Sequence, residues 1–253
     1  MGEPRIVALI PARAGSVRVQ NKNTRPLNGH PLLAYAIGVA QEAGIFESTW
    51  VSSDSLEVLD AAARYADIRQ GQIIRPSHLA LDDSPDIEWV TDAMDSLEPY
   101  DAFAIIRPTS PFRRGPWIRK AWEILQACPR ADSIRAVRPC GEHPAKMWRR
   151  IGITETQARY TQFISPVLNG IGYEAPWHSM PTQLLPTVYT QTAALEIAWT
   201  RVLPGSISGQ MVLPYFTERD APEAIDINEP SDFELAERLA AEHPEWLPSI
   251  NPR

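Results

Sequence analysis

The chain has 253 residues, a formal net charge of −7 and a pI near 5.3, with 44% hydrophobic and 22% charged residues. This is the composition of a globular protein, long enough for one large α/β domain with a sizeable core or for one domain plus a small insert. The acidic balance argues against broad nucleic-acid binding, and no run of about 18 or more apolar residues offers a transmembrane helix.

Met1-Gly2-Glu3-Pro4 lacks the basic start and apolar stretch of a signal peptide, and Ile6 stands where a myristoylation signal needs Ser or Thr. Residues 5–10 (RIVALI) read as the first strand. Residues 30–44 read as a helix, with Leu33, Ile37 and Ala40 on one face and Gly44 as its C-terminal cap. STWVSSD (48–54) is a strand with a polar end. SLEVLDAAARYA (55–66) is a helix capped by Asp54 or Ser55. Residues 86–97 form another helix, 101–111 a buried strand broken at Pro108, 115–128 a helix with Pro116 in its first turn, and 132–140 a strand. Cys128 and Cys140, the only cysteines, have no metal-ligand spacing and read as reduced thiols in a cytoplasmic protein.

Strands alternating with helices predict a largely parallel sheet covered on both faces. Ligands of such sheets bind beyond the carboxyl ends of the strands, so the polar ends PARAGS, SSD and RPTSP should line one crevice. The pattern breaks between 140 and 192. Five prolines fall there, just after Pro139, among Trp148, Tyr160, Phe163, Tyr173 and Trp177, which suggests an insert packing on something else, such as a second subunit. Strands at 193–200 and 224–228 return to the core, and a helix at 230–243 follows, with Ser231 and Glu234 at capping-box spacing.

The loop after the first strand, in IPARAGSVRVQNKN (10–23), gathers Arg13, Arg18 and Lys22 around Gly15 and Ser16. Backbone amides in such a loop can cradle phosphate oxygens, and the cations add charge-assisted bonds. A local cluster of cations in an acidic chain points to a small phosphorylated ligand. The loop fits neither the Walker A nor the G-x-G-x-x-G pattern. Taken alone, it could also be a solvated turn.

The stretch IPARAGSVRVQNKNTRPLNGHPLLAYAI resembles the signature of the acylneuraminate cytidylyltransferases, the CMP-sialic acid synthetase family. VSSDS (51–55), IIRPSHLALDDS (73–84), IIRPTSPFR (105–113), EHPAKMW (142–148) and AIDINEPSDF (224–233) resemble further blocks of that family, in its order. The resemblance implies an α/β fold of the Rossmann-like, glycosyltransferase-A nucleotidyltransferase type over 1–253, with 140–192 as a dimerisation or acceptor-side insert. It implies transfer of CMP from CTP to a sugar acid with release of pyrophosphate, a Mg²⁺ cofactor, and a cytoplasmic homodimer without nucleic-acid or membrane partners.

By that resemblance Arg13, Ser16, Lys22 and Asn23 hold the triphosphate, Arg13 and Lys22 as catalytic cations. Arg18 joins them, its charge shifted by one position from Val17, where the family carries Lys. Arg75 and Ser84 read the cytosine; the other reading of Arg75 is an ion pair with Asp82 or Asp83. Asp226 and Asn228 stand at the family's paired aspartates and are the metal-ligand candidates, with Asp226 also catalytic. Two carboxylates suit a hard Mg²⁺ ion, and here the second is an amide. Lys146 faces the acid acceptor, with Arg107 (in place of a usual Gln) and Glu196. The segment 180–199 departs from the family pattern, with Thr182 near an expected Arg and Thr192-Ala193 in place of Asn-Gly. That departure leaves open another acceptor or nucleotide, and Asn228 leaves open a non-catalytic nucleotide-binding protein.

Overall fold

The structure, a computed structural model, describes residues 2–16, 18–65, 70–156, 159–166, 175–218, 221–250 and 252. Val17, Ala66 and Tyr173, which figured in the expectations above, lie outside them. The chain divides into two compact units, Met1–Val137 with Gln191–Arg253, and Arg138–Thr190.

The elements run β1 (Ile6–Pro11), the two-residue strands β2 (Pro26–Leu27) and β3 (His30–Pro31), α1 (Leu32–Ala43), β4 (Ser48–Ser53), α2 (Leu56–Ala63), β5 (Gln70–Ile74), α3 (Asp86–Asp95), β6 (Ala102–Ile105), α4 (Gly115–Gln126) and β7 (Ser133–Pro139). They continue with β8 (Trp148–Thr156), β9 (Arg159–Pro166), β10 (Tyr189–Trp199), β11 (Val212–Phe216) and α5 (Pro230–Glu242). The main sheet has the order β11-β7-β10-β6-β1-β4-β5. β1 is parallel to β4 and β6, β4 to β5, and β11 to β7, whereas β10 runs antiparallel to β6.

β1 shows why the sheet is covered twice. Ile6, Ala8 and Ile10 pack with Leu33, Ile37, Ile118 and Leu125 of α1 and α4, while Val7 and Leu9 pack with Trp89, Val90 and Met94 of α3. Side chains alternate across a strand, so an uninterrupted apolar strand needs apolar cover on both faces. The chain passes from β1 to β4 and β5 on one side, then returns to place β6 on the other. That reversal is a topological switch point, where the carboxyl ends of neighbouring strands diverge and leave a crevice. The crevice lies between the loop after β1 and the segment after β6.

Several local expectations need correction. Residues 224–228 are not a strand: a 3-10 turn spans Pro222–Ala224, and Ile227 N–H reaches Thr109 O at 2.8 Å across an irregular stretch. β6 ends at Ile105, well short of 111. The cap of α2 is Ser55, whose hydroxyl accepts from Val58 N–H; Asp54 accepts from Ala14 N–H at 2.9 Å instead. α5 is capped by Glu229 in a reciprocal box with Asp232, not by Ser231 with Glu234. β5, β11 and the antiparallel β8–β9 hairpin, which belongs to the second unit, were not foreseen. Gly44 does end α1 in the left-handed conformation, at φ 66°.

Candidate active site

Arg13, Ser16, Arg18, Val19, Lys22 and Asn23, in the loop after β1, border a cleft of about 610 Å³. The loop is tied down from both sides. Asp54, at the end of β4, holds Ala14 N–H, and buried Asn23 donates from Nδ2 to Arg13 O at 2.8 Å. Asn21 takes a left-handed φ of 52°, and its carbonyl accepts from Thr24 and Arg25, closing a tight turn. Asn23 is therefore a brace of the loop, its amide donor spent on backbone.

Two cations of this loop are anchored at their tips. Arg13 donates to Ala80 O at 3.2 Å and pairs with Asp82 at 2.6 Å. Lys22 donates to Ile227 O at 3.0 Å. Burial lowers the Lys22 pKa, attraction to Asp226 works against that, and the nearby Arg18 and Arg13 add to the lowering. Ser16 and Arg18 line the same cleft, Arg18 with its side chain exposed.

Arg75 follows β5 and is buried, 4% exposed. It donates to Ser52 Oγ at 3.1 Å and Ser52 O at 3.2 Å, and its guanidinium lies 4.5 Å from the Trp89 ring centroid. Burial lowers its pKa to about 10, so it stays cationic at neutral pH. The expected alternative partner, Asp82, belongs to Arg13. Ser84 also lines the cleft; its hydroxyl donates to His78 O at 2.9 Å and accepts from Leu81 N–H.

A second cleft, of about 460 Å³, shares Lys22, Asp86, Arg107 and Thr109 with the first. Its floor is a chain of ion pairs. Arg107 bridges Asp86 at 2.7 Å and Glu196 at 2.7 Å, and the other oxygen of Glu196 receives Arg135. Burial would lower the Arg107 pKa, but the Glu196 and Asp86 carboxylates outweigh it and raise the pKa well above the ordinary arginine value. Burial would raise Asp86, but Arg107, the Trp89 indole N–H and Arg75 outweigh it and hold it below the ordinary carboxylate value.

Asp226 and Asn228 meet in this cleft without the strand that was expected to align them. Asn228 Nδ2 donates to Asp226 Oδ2 at 2.8 Å, and Asp232 accepts from the Asn228 and Glu229 amides. Asp226 Oδ1 is buried with no hydrogen-bond partner among the described residues. An unpaired buried carboxylate oxygen is costly unless something binds it, and a hard cation suits it. Among the described residues no group of three His, Cys, Asp or Glu side chains could hold a metal. A cation at Asp226 therefore needs further oxygens from a ligand.

Arg113 received no role from the sequence, although it ends the IIRPTSPFR block. It is 1% exposed and donates to the carbonyls of Ala194, Ala193 (2.9 Å) and Arg107 (3.1 Å). Burial lowers its pKa to about 10, while Glu196 and Asp226 partly offset the shift. The guanidinium thus clamps β10 to the segment after β6, on which Arg107 and Thr109 stand. A buried arginine bonded only to carbonyls has no sequence signature beyond its place after the proline-rich turn.

Lys146 lies in the second unit. Its ammonium donates to the carbonyls of His178, at 3.0 Å, and Met180.

A family model described as cytidylyltransferase matches residues 7–135, just over half of the chain. Over 145 residues, 56% of this chain, the sequence is 38% identical to the CMP-N,N'-diacetyllegionaminic acid synthase of Legionella pneumophila, covering 61% of that protein. It is 36% identical over 134 residues, 53% of this chain, to the N-acylneuraminate cytidylyltransferase of Escherichia coli, covering 31% of it. A 31% match over 121 residues, 46% of this chain, covers 51% of the pseudaminic acid cytidylyltransferase of Campylobacter jejuni. The chain thus spans between about a third and three fifths of the length of these relatives. A CMP:2-keto-3-deoxy-manno-octonic acid synthetase solved with CTP shares the fold, with a TM-score of 0.65 over 94% of this chain and 99% of that one, at 13% identity. The 4-diphosphocytidyl-2C-methyl-D-erythritol synthase of Anaerococcus prevotii does so with a TM-score of 0.61 over 94% of this chain and 99% of its own, at 11% identity. The mostly parallel sheet with helices on both faces is therefore a Rossmann-like nucleotidyltransferase fold, and the chain belongs to the cytidylyltransferase family.

Proposed function

We propose that this chain transfers CMP from CTP to a sugar acid of the nonulosonic class and releases pyrophosphate. The observation that carries this reading is the pair of clefts meeting along Lys22, Asp86, Arg107 and Thr109. One cleft is walled by the cationic loop after β1, and the other by hydrogen-bonding side chains suited to a polyhydroxylated acid. The relatives named above are synthases of CMP-linked or cytidylylated sugar acids, which supports the choice of acceptor class.

In this account the triphosphate lies along Arg13, Ser16, Arg18 and Lys22, and a phosphate competes with Asp82, 60% exposed, for Arg13. Arg75, placed over the Trp89 ring and bonded to Ser52, reads the pyrimidine edge, with Ser84 fixing the turn beside it. The α-phosphate sits where the clefts join. A hydroxyl of the acceptor attacks it in line, and Lys22 and Arg13 stabilise the charge that builds on the departing pyrophosphate without having to reorganise. Arg113 fixes the backbone on which Arg107 and Thr109 stand. Asp226 Oδ1, with Asn228 beside it, would hold a Mg²⁺ ion. That ion, when bound, supplies charge neutralisation at the phosphate oxygens.

Two further points belong to the same proposal. The chain acts as a homodimer through residues 140–192, where Met147 and Trp148 remain 39% and 47% exposed; sedimentation should return a mass near twice 28.3 kDa. Among the described residues no helix is long and apolar enough to cross a membrane, and the enzyme works in the cytoplasm, where CTP is made.

The nucleotide half is tested by competition among CTP, UTP, ATP and GTP for the free protein. CTP should bind at least about tenfold more tightly than the others, and Arg75→Met should erase most of that preference. A preference for GTP would remove the cytidylyl reading.

A further inference from the structure

Arg135 and Gln191 carry no role in the account so far, yet both line the second cleft. Arg135 sits on β7 with its side chain 16% exposed, and one arm of its guanidinium reaches Glu196 Oε2. The other arm, Nη1, donates to Gln191 Oε1 at 2.8 Å. Gln191 is exposed at the start of the β10 stretch that turns inward toward Glu196.

Charge accounting separates the two arginines of this cleft. Arg107 is held by two carboxylates, Asp86 and Glu196. Arg135 shares the single charge of Glu196 with Arg107, and its free arm meets only a neutral amide. A carboxylate displacing that amide would exchange a neutral hydrogen bond for a charge-assisted one and would complete the pairing of Arg135. The same carboxylate at Arg107 would have to break an existing ion pair. Thr192 lines the same cleft, with its hydroxyl buried and without a hydrogen-bond partner among the described residues. The cleft therefore offers a guanidinium arm whose present partner is a neutral, exposed amide.

We infer that Arg135 is the anchor for the acceptor's carboxylate, with Gln191 as the group the carboxylate displaces and Arg107 as the fixed cation that orients Glu196. This rests on the acid acceptor proposed above. It moves the recognition of the acid from Lys146 and Arg107 to a residue of β7 and makes Gln191 the gate of specificity.

The test uses the full chain, CTP, Mg²⁺ and the acid it turns over, together with the C1 amide of that acid. Arg135→Gln should raise KM for the acid about 10- to 100-fold, leave KM for CTP within about twofold, and bring turnover of acid and amide close to each other. Arg135→Lys, which keeps the charge without the fork, should recover part of the loss. Gln191→Glu, an exposed and nearly isosteric change, places a permanent carboxylate on Arg135 and should raise KM for the acid while the fold is unaffected. An unchanged acid-to-amide ratio in Arg135→Gln, or an unchanged KM in Gln191→Glu, overturns the assignment while CTP-dependent turnover by the wild type leaves the proposed reaction standing. A wild type that turns over no acid removes both.

Discussion

Lys22 brings an ammonium to both clefts, which it lines together with Asp86, Arg107 and Thr109. Lys22→Met should lower kcat about 100-fold with a smaller effect on folding. Its titration gives a second check. Burial lowers its pKa below the ordinary 10.5, so the unfolded chain holds that proton more tightly than the folded one. Stability of the wild type relative to Lys22→Met should therefore rise as pH climbs from the lowered value to 10.5. Urea denaturation of both proteins at several alkaline pH values reads the difference, and a flat difference would contradict it. At Asp226, the unpaired Oδ1 predicts that Asp226→Asn loses at least about 100-fold of metal-stimulated turnover. Asn228→Asp, which supplies a second carboxylate beside it, should lower the metal concentration needed for half-maximal rate. The loop cations were singled out by the family resemblance, because a cationic loop after a strand could by itself be a solvated turn; the structure places Arg13, Arg18 and Lys22 on one cleft. Arg113 was not read as structural, since its bonds to the Ala193 and Ala194 carbonyls exist only once segments some eighty residues apart meet, and Asn23 spends its amide on Arg13 O within its own loop.

Among the elements, β5 positions Arg75, and β5 depends on Gly71. A Cβ there would come within 2.2 Å of the Trp50 ring on β4. Gly71→Ala should cost roughly 1–3 kcal/mol in chemical denaturation and weaken CTP binding, because the strand carrying Arg75 must shift. A stable variant with normal CTP affinity would show that Trp50 gives way. β5 escaped the sequence because QGQII holds a glycine and two glutamines and shows no alternation, and the edge position leaves Ile74 70% exposed. The helices and β1 were legible because their apolar spacing states their burial directly. The stretch after Ala224 is not a strand although IDIN alternates like one: its backbone bonds to Pro222, Thr109, Lys22 and Asp232 rather than to a neighbouring strand, and then turns into the cap of α5. That cap is strong: Glu229→Ala should lower stability by about 1 kcal/mol and leave KM for CTP unchanged.

For the whole molecule, the switch point between β1 and β6 explains why loops far apart in sequence share one site. The blocks 10–23, 73–84, 105–113 and 224–233 were all singled out by the resemblance, and each contributes described residues to the lining of two adjoining clefts. The ion pairs in the second cleft were not foreseen. Glu196 read as a contact for acceptor hydroxyls, whereas its carboxylate is taken up by Arg107 and Arg135. Pairing of this kind depends on β7 and β10 lying next to each other in the sheet, a neighbourhood that no local pattern announces. The two clefts are proposed to carry out one transfer between them. The measurement that decides it is pyrophosphate release with CTP and Mg²⁺ across a panel of eight- and nine-carbon 2-keto sugar acids. We expect release with at least one acid, none without acceptor, and loss of release in Arg13→Ala. Silence across the panel while CTP still binds, or release that needs no acid, would contradict the account.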